Sequence, residues 1–255
     1  VGYNSGTAKK QEKMILKVLG SSSSGNCYLL DNGKECLIIE AGITFIKVKK
    51  ALDFNIKKVV GCIVTHAHND HAKYIKSMAD CGFYVLALPE VLEAKGVSGS
   101  RVKALELGKG YKFGNFKVAP FSACHDVPCV GYLIDHPETG RIMFLTDSCM
   151  CEYVFPGLNH VMIECNYSDR KLIESINAGR TLPSQRNRLL TSHMEMETCK
   201  EILMANDLSN VSNILLLHLS ENNGDEPVFI SEIQRVTGKV VYVAKPGLTI
   251  QIDKL

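Results

Sequence analysis

Residues 65–71 read THAHNDH. They follow the apolar run VVGCIV (59–64), which reads as a buried strand, so the polar stretch is delivered at that strand's C-terminal end. Three of the chain's eight histidines and one aspartate thus fall within residues 66–71. His66 and His68, two positions apart, can point to one side of an extended strand end. Asp70 and His71 come as the chain turns into a helix predicted over 70–80. Imidazole and carboxylate together suit Zn²⁺, Mn²⁺ or Fe better than Ca²⁺ or Mg²⁺. Donors this crowded suit a pair of adjacent ions, with two nitrogens for one and an oxygen plus a nitrogen for the other. The competing reading makes them surface histidines with Asp70 as a helix cap, and it gives no reason for the crowding.

If that reading holds, further ligands belong at other strand ends, and polar donors do stand there. His125 follows the strand at 116–123, Asp147 ends FLTD, and His218 interrupts the apolar run ILLLHLS (214–220). A histidine or aspartate where periodicity predicts burial needs a partner, and one shared metal site supplies it for all three.

The rest of the chain frames this cluster. Short apolar strands at 15–19, 27–30 and 36–40 form a first meander, and the segments RVKALEL, KFGNFKVAPF, VGYLID and RIMFLTD form a second. Strand–helix units follow each, with helices predicted at 43–52, 169–177, 195–206 and 227–236. This is a strand-rich α/β pattern in two similar halves, with helices covering the outside of stacked sheets. No Pro- or Gly-rich linker divides 14–255, so it reads as a single domain. Residues 1–13 are polar, precede Met14, and read as a leader or expression remnant.

Composition is that of an ordinary globular protein, with 45% hydrophobic residues, 22% charged residues and a net charge of +2. That charge decides nothing about nucleic acid by itself. Ten cysteines are scattered without a CxxC pair, mostly inside apolar runs, as expected of small buried side chains in a reducing compartment. No apolar stretch reaches the ~20 residues of a membrane span. The expected location is the cytoplasm, without membrane association. Cys149 and Cys151, near Asp147, read as packing residues, and His136 and His160, near turn signals, as surface residues.

The ordered series HAHNDH (66–71), His125, Asp147, His218 resembles that of the metallo-β-lactamase-fold hydrolases. The resemblance runs from Met14 onward and implies a four-layer αβ/βα sandwich with two divalent metal ions, foremost Zn, with Mn or Fe as alternatives. It implies that His66, His68 and His125 hold one ion, that Asp70, His71 and His218 hold the other, and that Asp147 bridges them. GSSSSGNCYLL, HDVPCVGYLI, IECNYS and HLSENNGDEP look like the YycJ/WalJ-type branch, which is linked with 5′→3′ DNA exonuclease activity. The chain departs from the pattern at Glu40, where an Asp usually braces the metal loop, and in SHMEM, which keeps only His193 of a Gly-His-Leu-Ser element. It departs again at Tyr167 and Cys149, where His and Gly are usual.

The expected reaction is phosphodiester hydrolysis by a hydroxide shared between the ions, with Asp70 and Asp147 holding the metals and orienting the nucleophile. His193 is the candidate proton donor or phosphate contact, against a helix-capping role. Ser22 and Ser23 in GSSSSGN can offer donors to phosphate, against a plain turn. Arg186 and Arg188 belong to a basic stretch that can track a nucleic-acid backbone, against a solvated helix face. Asn222 can position substrate, though helix capping by Asn222 or Asn223 is the simpler reading. The partner is nucleic acid, foremost DNA, or a small phosphodiester. The alternatives are hydrolysis of a cyclic phosphodiester or thioester, and a regulatory protein with a vestigial metal site.

Overall fold

The computed structural model describes residues 13–254; the expected leader at 1–13 lies, apart from Lys13, outside the described residues. The first half of the chain builds β1 (Ile15–Gly20), β2 (Cys27–Asp31), β3 (Cys36–Ile39), β4 (Val59–Ile63), β5 (Val85–Ala87) and β6 (Val102–Ala104). The second half builds β7 (Tyr111–Phe113), β8 (Phe116–Ala123), β9 (Cys129–His136), β10 (Gly140–Leu145), β11 (Leu158–Glu164), β12 (Asn213–Leu217) and β13 (Val240–Val243). The last strand, β14 (Thr249–Gln251), returns to the first sheet beside β1. The sheet orders are β14-β1-β2-β3-β4-β5-β6 and β13-β12-β11-β10-β9-β8-β7. In each sheet an antiparallel meander passes into parallel strands, from β3 to β6 in one and from β10 to β13 in the other. The two halves expected from the strand pattern are therefore the two sheets.

Burial follows the side-chain alternation. β1 alternates between partly and fully buried positions, whereas every residue of β2 and β3 is buried. One face of each sheet contributes to a shared core in which Leu16, Tyr28 and Leu37 meet Phe116, Tyr132 and Phe144. Tyr28 and Phe144 meet edge to face across it, 5.5 Å between ring centres. The outer face of the first sheet packs on α1 (Phe45–Ala51), α2 (Asn69–Ala72), α3 (Ile75–Asp80) and α4 (Pro89–Ala94). That of the second sheet packs on α7 (Met196–Ala205) and α8 (Glu226–Thr237), which follow α5 (Asp169–Asn177) and α6 (Pro183–Ser192). The result is the four-layer αβ/βα sandwich. No helix among the described residues is long and apolar enough to cross a membrane.

Strand direction explains why distant donors can meet. β3 and β4 are parallel, and β8 runs with β10 because each is antiparallel to β9. β11 and β12 continue parallel to β10. The segments after β4, β8, β10, β11 and β12 consequently open on one edge of the sandwich.

Three expectations need correction. The helix expected over 70–80 is two helices, because the Asp70 carbonyl accepts from the Asn26 amide (2.7 Å) while the Tyr74 amide donates to Ala41 (2.8 Å). Tyr74 (φ −111°, ψ 13°) is where the chain leaves helical geometry, and the two bonds pin this segment to the loops before β2 and after β3. His136 and His160 are buried rather than on the surface. The His136 ring lies 3.0 Å from Glu35 and against Phe116. The turn signals mark where the backbone reverses, not which way these two side chains face. Finally, α8 is capped by Asp225, whose carboxylate accepts from the Val228 amide, and not by Asn222 or Asn223.

Candidate metal centre

His66 Nε2 lies 3.1 Å from His68 Nδ1, and His125 Nε2 lies 3.2 Å from the same nitrogen. Three nitrogens facing one another this closely cannot all be satisfied by one proton, and a cation at their centre removes the conflict. The outer nitrogens are already engaged. His125 Nδ1 donates to the Ser192 carbonyl (2.8 Å), which leaves Nε2 as a lone-pair donor, and His66 Nδ1 meets Thr65 Oγ1 at 2.9 Å.

A second set adjoins the first. His71 Nε2 is 3.3 Å from both Asp70 Oδ2 and Asp147 Oδ2. His218 Nε2 is 3.6 Å from Asp70 Oδ2 and 3.9 Å from Asp147 Oδ1. Donor atoms of His66, His68, His125 and Asp147 lie within 4.8 Å of one another, as do those of Asp70, His71, Asp147 and His218. Asp147 belongs to both sets. His218 Nε2 is buried and makes no hydrogen bond, an orphan that a metal ion would satisfy. The donors therefore fit a pair of divalent ions in ligand type and in arrangement.

Electrostatics points the same way. Burial pushes the Asp70 and Asp147 carboxyls up, but the neighbouring His218 and His71 pull both well below the usual range, so both are anionic. Burial, reinforced by neighbouring histidines, holds His66 well below its ordinary value; burial likewise lowers His125. Neutral imidazole and ionised carboxylate are the states a metal requires. His71 and His218 are raised despite their burial, mainly by Asp147, so a bound cation would compete there with protons.

The backbone is held in place with some strain. Asp147 (φ 46°), His218 (φ 53°) and Glu40 (φ 70°) all occupy the left-handed region, a cost that clusters at functional sites. Glu40 is fully buried; its Oε1 accepts from Thr65 Oγ1 at 2.6 Å and lies 3.4 Å from His71 Nδ1. The glutamate thus reaches the metal loop from the place where the resemblance leads one to expect an aspartate. Gly42 allows the close approach of the two loops, since a Cβ there would stand 1.7 Å from the Asp70 carbonyl oxygen.

The substrate-side residues divide. His193 caps α6, and its Nδ1 lies 2.7 Å from Glu164 Oε1. Burial opposes its protonation, but Glu164 raises it to about 9. Ser22, Ser23 and Asn222 line a cavity of about 280 Å³ with His193 and His218. Arg188 lies on α6 with its Nε 3.8 Å from Asp126 Oδ2, whereas Arg186 is exposed on the same helix and does not line that cavity.

Two residues given no role by the sequence reading belong here. Glu164, at the end of β11, is fully buried and also accepts from the Ser148 amide at 2.8 Å. Its signal was present, for it is a charged residue ending an apolar strand, as Asp147 and His218 are. Asp126 Oδ1 stands 3.4 Å from His68 Nε2 and 3.1 Å from His125 Nε2. At the first distance it can hold the proton of His68 on Nε2 and so present Nδ1 to a metal.

A sandwich of two mixed sheets with His and Asp donors gathered at one edge defines a metallo-hydrolase. A profile of the metallo-beta-lactamase superfamily matches residues 22–78. Similarity extends to the exodeoxyribonuclease WalJ of Streptococcus pneumoniae serotype 2, 24% identical over 253 residues that cover 92% of this chain and 90% of that one. It extends also to the exodeoxyribonuclease YycJ of Bacillus anthracis, 26% identical over 224 residues, with 81% and 82% covered. The metallo-beta-lactamase fold protein YhfI from Bacillus subtilis superposes with a TM-score of 0.71 at 18% identity, over 94% of this chain and 99% of that one. The similarity therefore runs to proteins of the YycJ/WalJ type.

Proposed function

We propose that the chain is a binuclear metal-dependent phosphodiesterase acting on nucleic acid, with a DNA 5′→3′ exonuclease-like activity and a cytoplasmic location. The observation that carries the metal half is the pair of interlocking donor sets that share Asp147. The nucleic-acid half is supported by the exodeoxyribonuclease relatives and by the polar character of the adjoining cleft.

In this reading His66, His68 and His125 would hold one ion and Asp70, His71 and His218 the other, with Asp147 common to both donor sets; Zn²⁺ is the foremost candidate. Such ions supply the Lewis-acid charge that activates water and stabilises charge developing on a phosphoryl group. The chain's own residues do the rest. Ser22 and Ser23 offer donors to non-bridging phosphate oxygens, and Asn222 adds an amide at the cleft wall. Glu164 engages His193 Nδ1, which leaves Nε2 to contact the phosphate or donate a proton to the leaving oxygen. Arg186 and Arg188 on α6 guide the incoming strand electrostatically.

The test is a panel of 5′-labelled single- and double-stranded DNA and RNA, together with bis(p-nitrophenyl) phosphate, assayed with Zn²⁺ and with Mn²⁺. Stepwise shortening of DNA supports the proposal. Cleavage of the small ester alone overturns its nucleic-acid half, and turnover of cyclic phosphodiesters or thioesters in preference to DNA favours those substrates instead.

A further inference from the structure

Cys124 and Cys149 were not singled out as a pair by their spacing, yet their Sγ atoms lie 3.1 Å apart. The Cys149 amide donates to the Cys124 carbonyl at 2.9 Å, and the Cys124 amide donates to Ser148 Oγ at 2.9 Å. The two backbones therefore run at the spacing of paired strands, which suits the ~4.4–6.8 Å Cα separation of a disulfide. Cys124 is exposed and Cys149 half-buried, so a small reagent can reach the first thiol while the second waits beneath it. Neither sulfur is used by the proposed chemistry. Cys151 faces elsewhere, its Sγ 3.8 Å from the Tyr153 carbonyl.

The position of the pair gives it consequence. Cys124 immediately precedes His125, and Cys149 is two residues beyond Asp147. Ser148, between Asp147 and Cys149, donates its amide to Glu164. The pair thus joins the segments that carry a ligand of the first donor set and the shared carboxylate.

We propose that Cys124 and Cys149 form an oxidative modification site whose co-substrate is a low-molecular-weight disulfide, and that closing the bond loosens the adjoining metal centre. The Cys124 sulfur, deprotonated, attacks one sulfur of the small disulfide and expels a thiolate. The Cys149 sulfur then attacks Cys124 and expels the second thiolate. The protons of the two protein thiols end on the two expelled thiolates; the protein pair is oxidised by two electrons and the small disulfide is reduced by two. Shortening the gap from 3.1 Å to the ~2.05 Å of a disulfide must be absorbed beside His125 and Asp147. The first half of the proposal stands without any assigned function, and the second rests on the binuclear reading.

The experiment treats the full chain with glutathione disulfide and maps cross-linked peptides by mass spectrometry, before and after dithiothreitol. The expected product is a reversible Cys124–Cys149 link, absent from Cys124→Ser and Cys149→Ser and retained in Cys151→Ser. Chains loaded with Zn²⁺ are then followed as they lose it to a chromogenic chelator. The oxidised chain is expected to release the ion at least ~5-fold faster, and the two serine variants to show no such change on oxidation. A persistent glutathione adduct on Cys124, or a link to Cys151 in place of Cys149, overturns the site. A correct link with unchanged Zn²⁺ release overturns the coupling and leaves the phosphodiesterase proposal untouched, since neither readout uses turnover.

Discussion

His193 Nδ1 and Glu164 Oε1 are 2.7 Å apart, and the glutamate has no solvent exposure. A buried carboxylate held to an imidazole fixes the ring's orientation and favours its protonated form. His193 in turn stacks on His218, 5.3 Å between ring centres, so the dyad abuts the donor cluster. Removing the ring is expected to cost more than loosening it. His193→Gln lowers kcat by about 10²-fold, in the range of a lost general acid. Glu164→Gln lowers it by about tenfold while the fold, read by circular dichroism, is retained. Equal activity of both variants and the parent on a DNA substrate contradicts the assigned role.

Asp126 makes a separate prediction, because it meets the nitrogen of His68 that does not face the donor set. Asp126→Asn is expected to weaken metal binding by ~10–100-fold, as the loss of a carboxylate behind a metal-bound imidazole does elsewhere. Competition with a chelator of known affinity measures it. An unchanged affinity would make Asp126 a bystander.

Gly42 is a purely steric case. A methyl group there meets the Asp70 carbonyl at 1.7 Å and the Asn26 amide nitrogen at 2.7 Å, both backbone atoms that cannot swing away. Gly42→Ala is expected to destabilise the chain by about 1–3 kcal/mol, as overpacking does, and to lower metal capacity with it. Urea unfolding gives the first quantity and metal analysis the second.

His160 sets a pH dependence remote from the metal centre. Burial holds its pKa near 4 in the folded chain, against about 6.5 when unfolded. Between those values the unfolded chain binds the extra proton, so stability is full above about pH 6.5 and falls as pH drops towards 4. The loss amounts to about 3 kcal/mol at ~1.4 kcal/mol per pH unit. His160→Gln is expected to remove that part of the slope in urea titrations at pH 7, 6 and 5; an unchanged slope in the variant contradicts the assignment.

The sequence exposed the cluster through a mismatch between chemistry and burial. His125, Asp147 and His218 stand where apolar strands end, and parallel strand direction carries such ends to one edge. Glu164 sends the same signal in VMIE, where it ends an apolar run. α6 was less legible because PSQRNRLLTS is polar on nearly every side, so no apolar stripe marks it. The inward turn of His136 depends on a partner, Glu35, 101 residues away, which local turn signals do not encode. The contact between Cys124 and Cys149 is likewise a product of topology, since β9 and β10 bring together residues 25 apart.

Everything functional rests on Asp147 joining the two donor sets. The most direct measurement is the metal content of the purified chain by inductively coupled plasma mass spectrometry, alongside Asp147→Asn. The account predicts about two divalent ions per chain in the parent and loss of ions from both sets in the variant. A parent that binds no more than one ion at saturating Zn²⁺ or Mn²⁺, or a variant that keeps both, would contradict it.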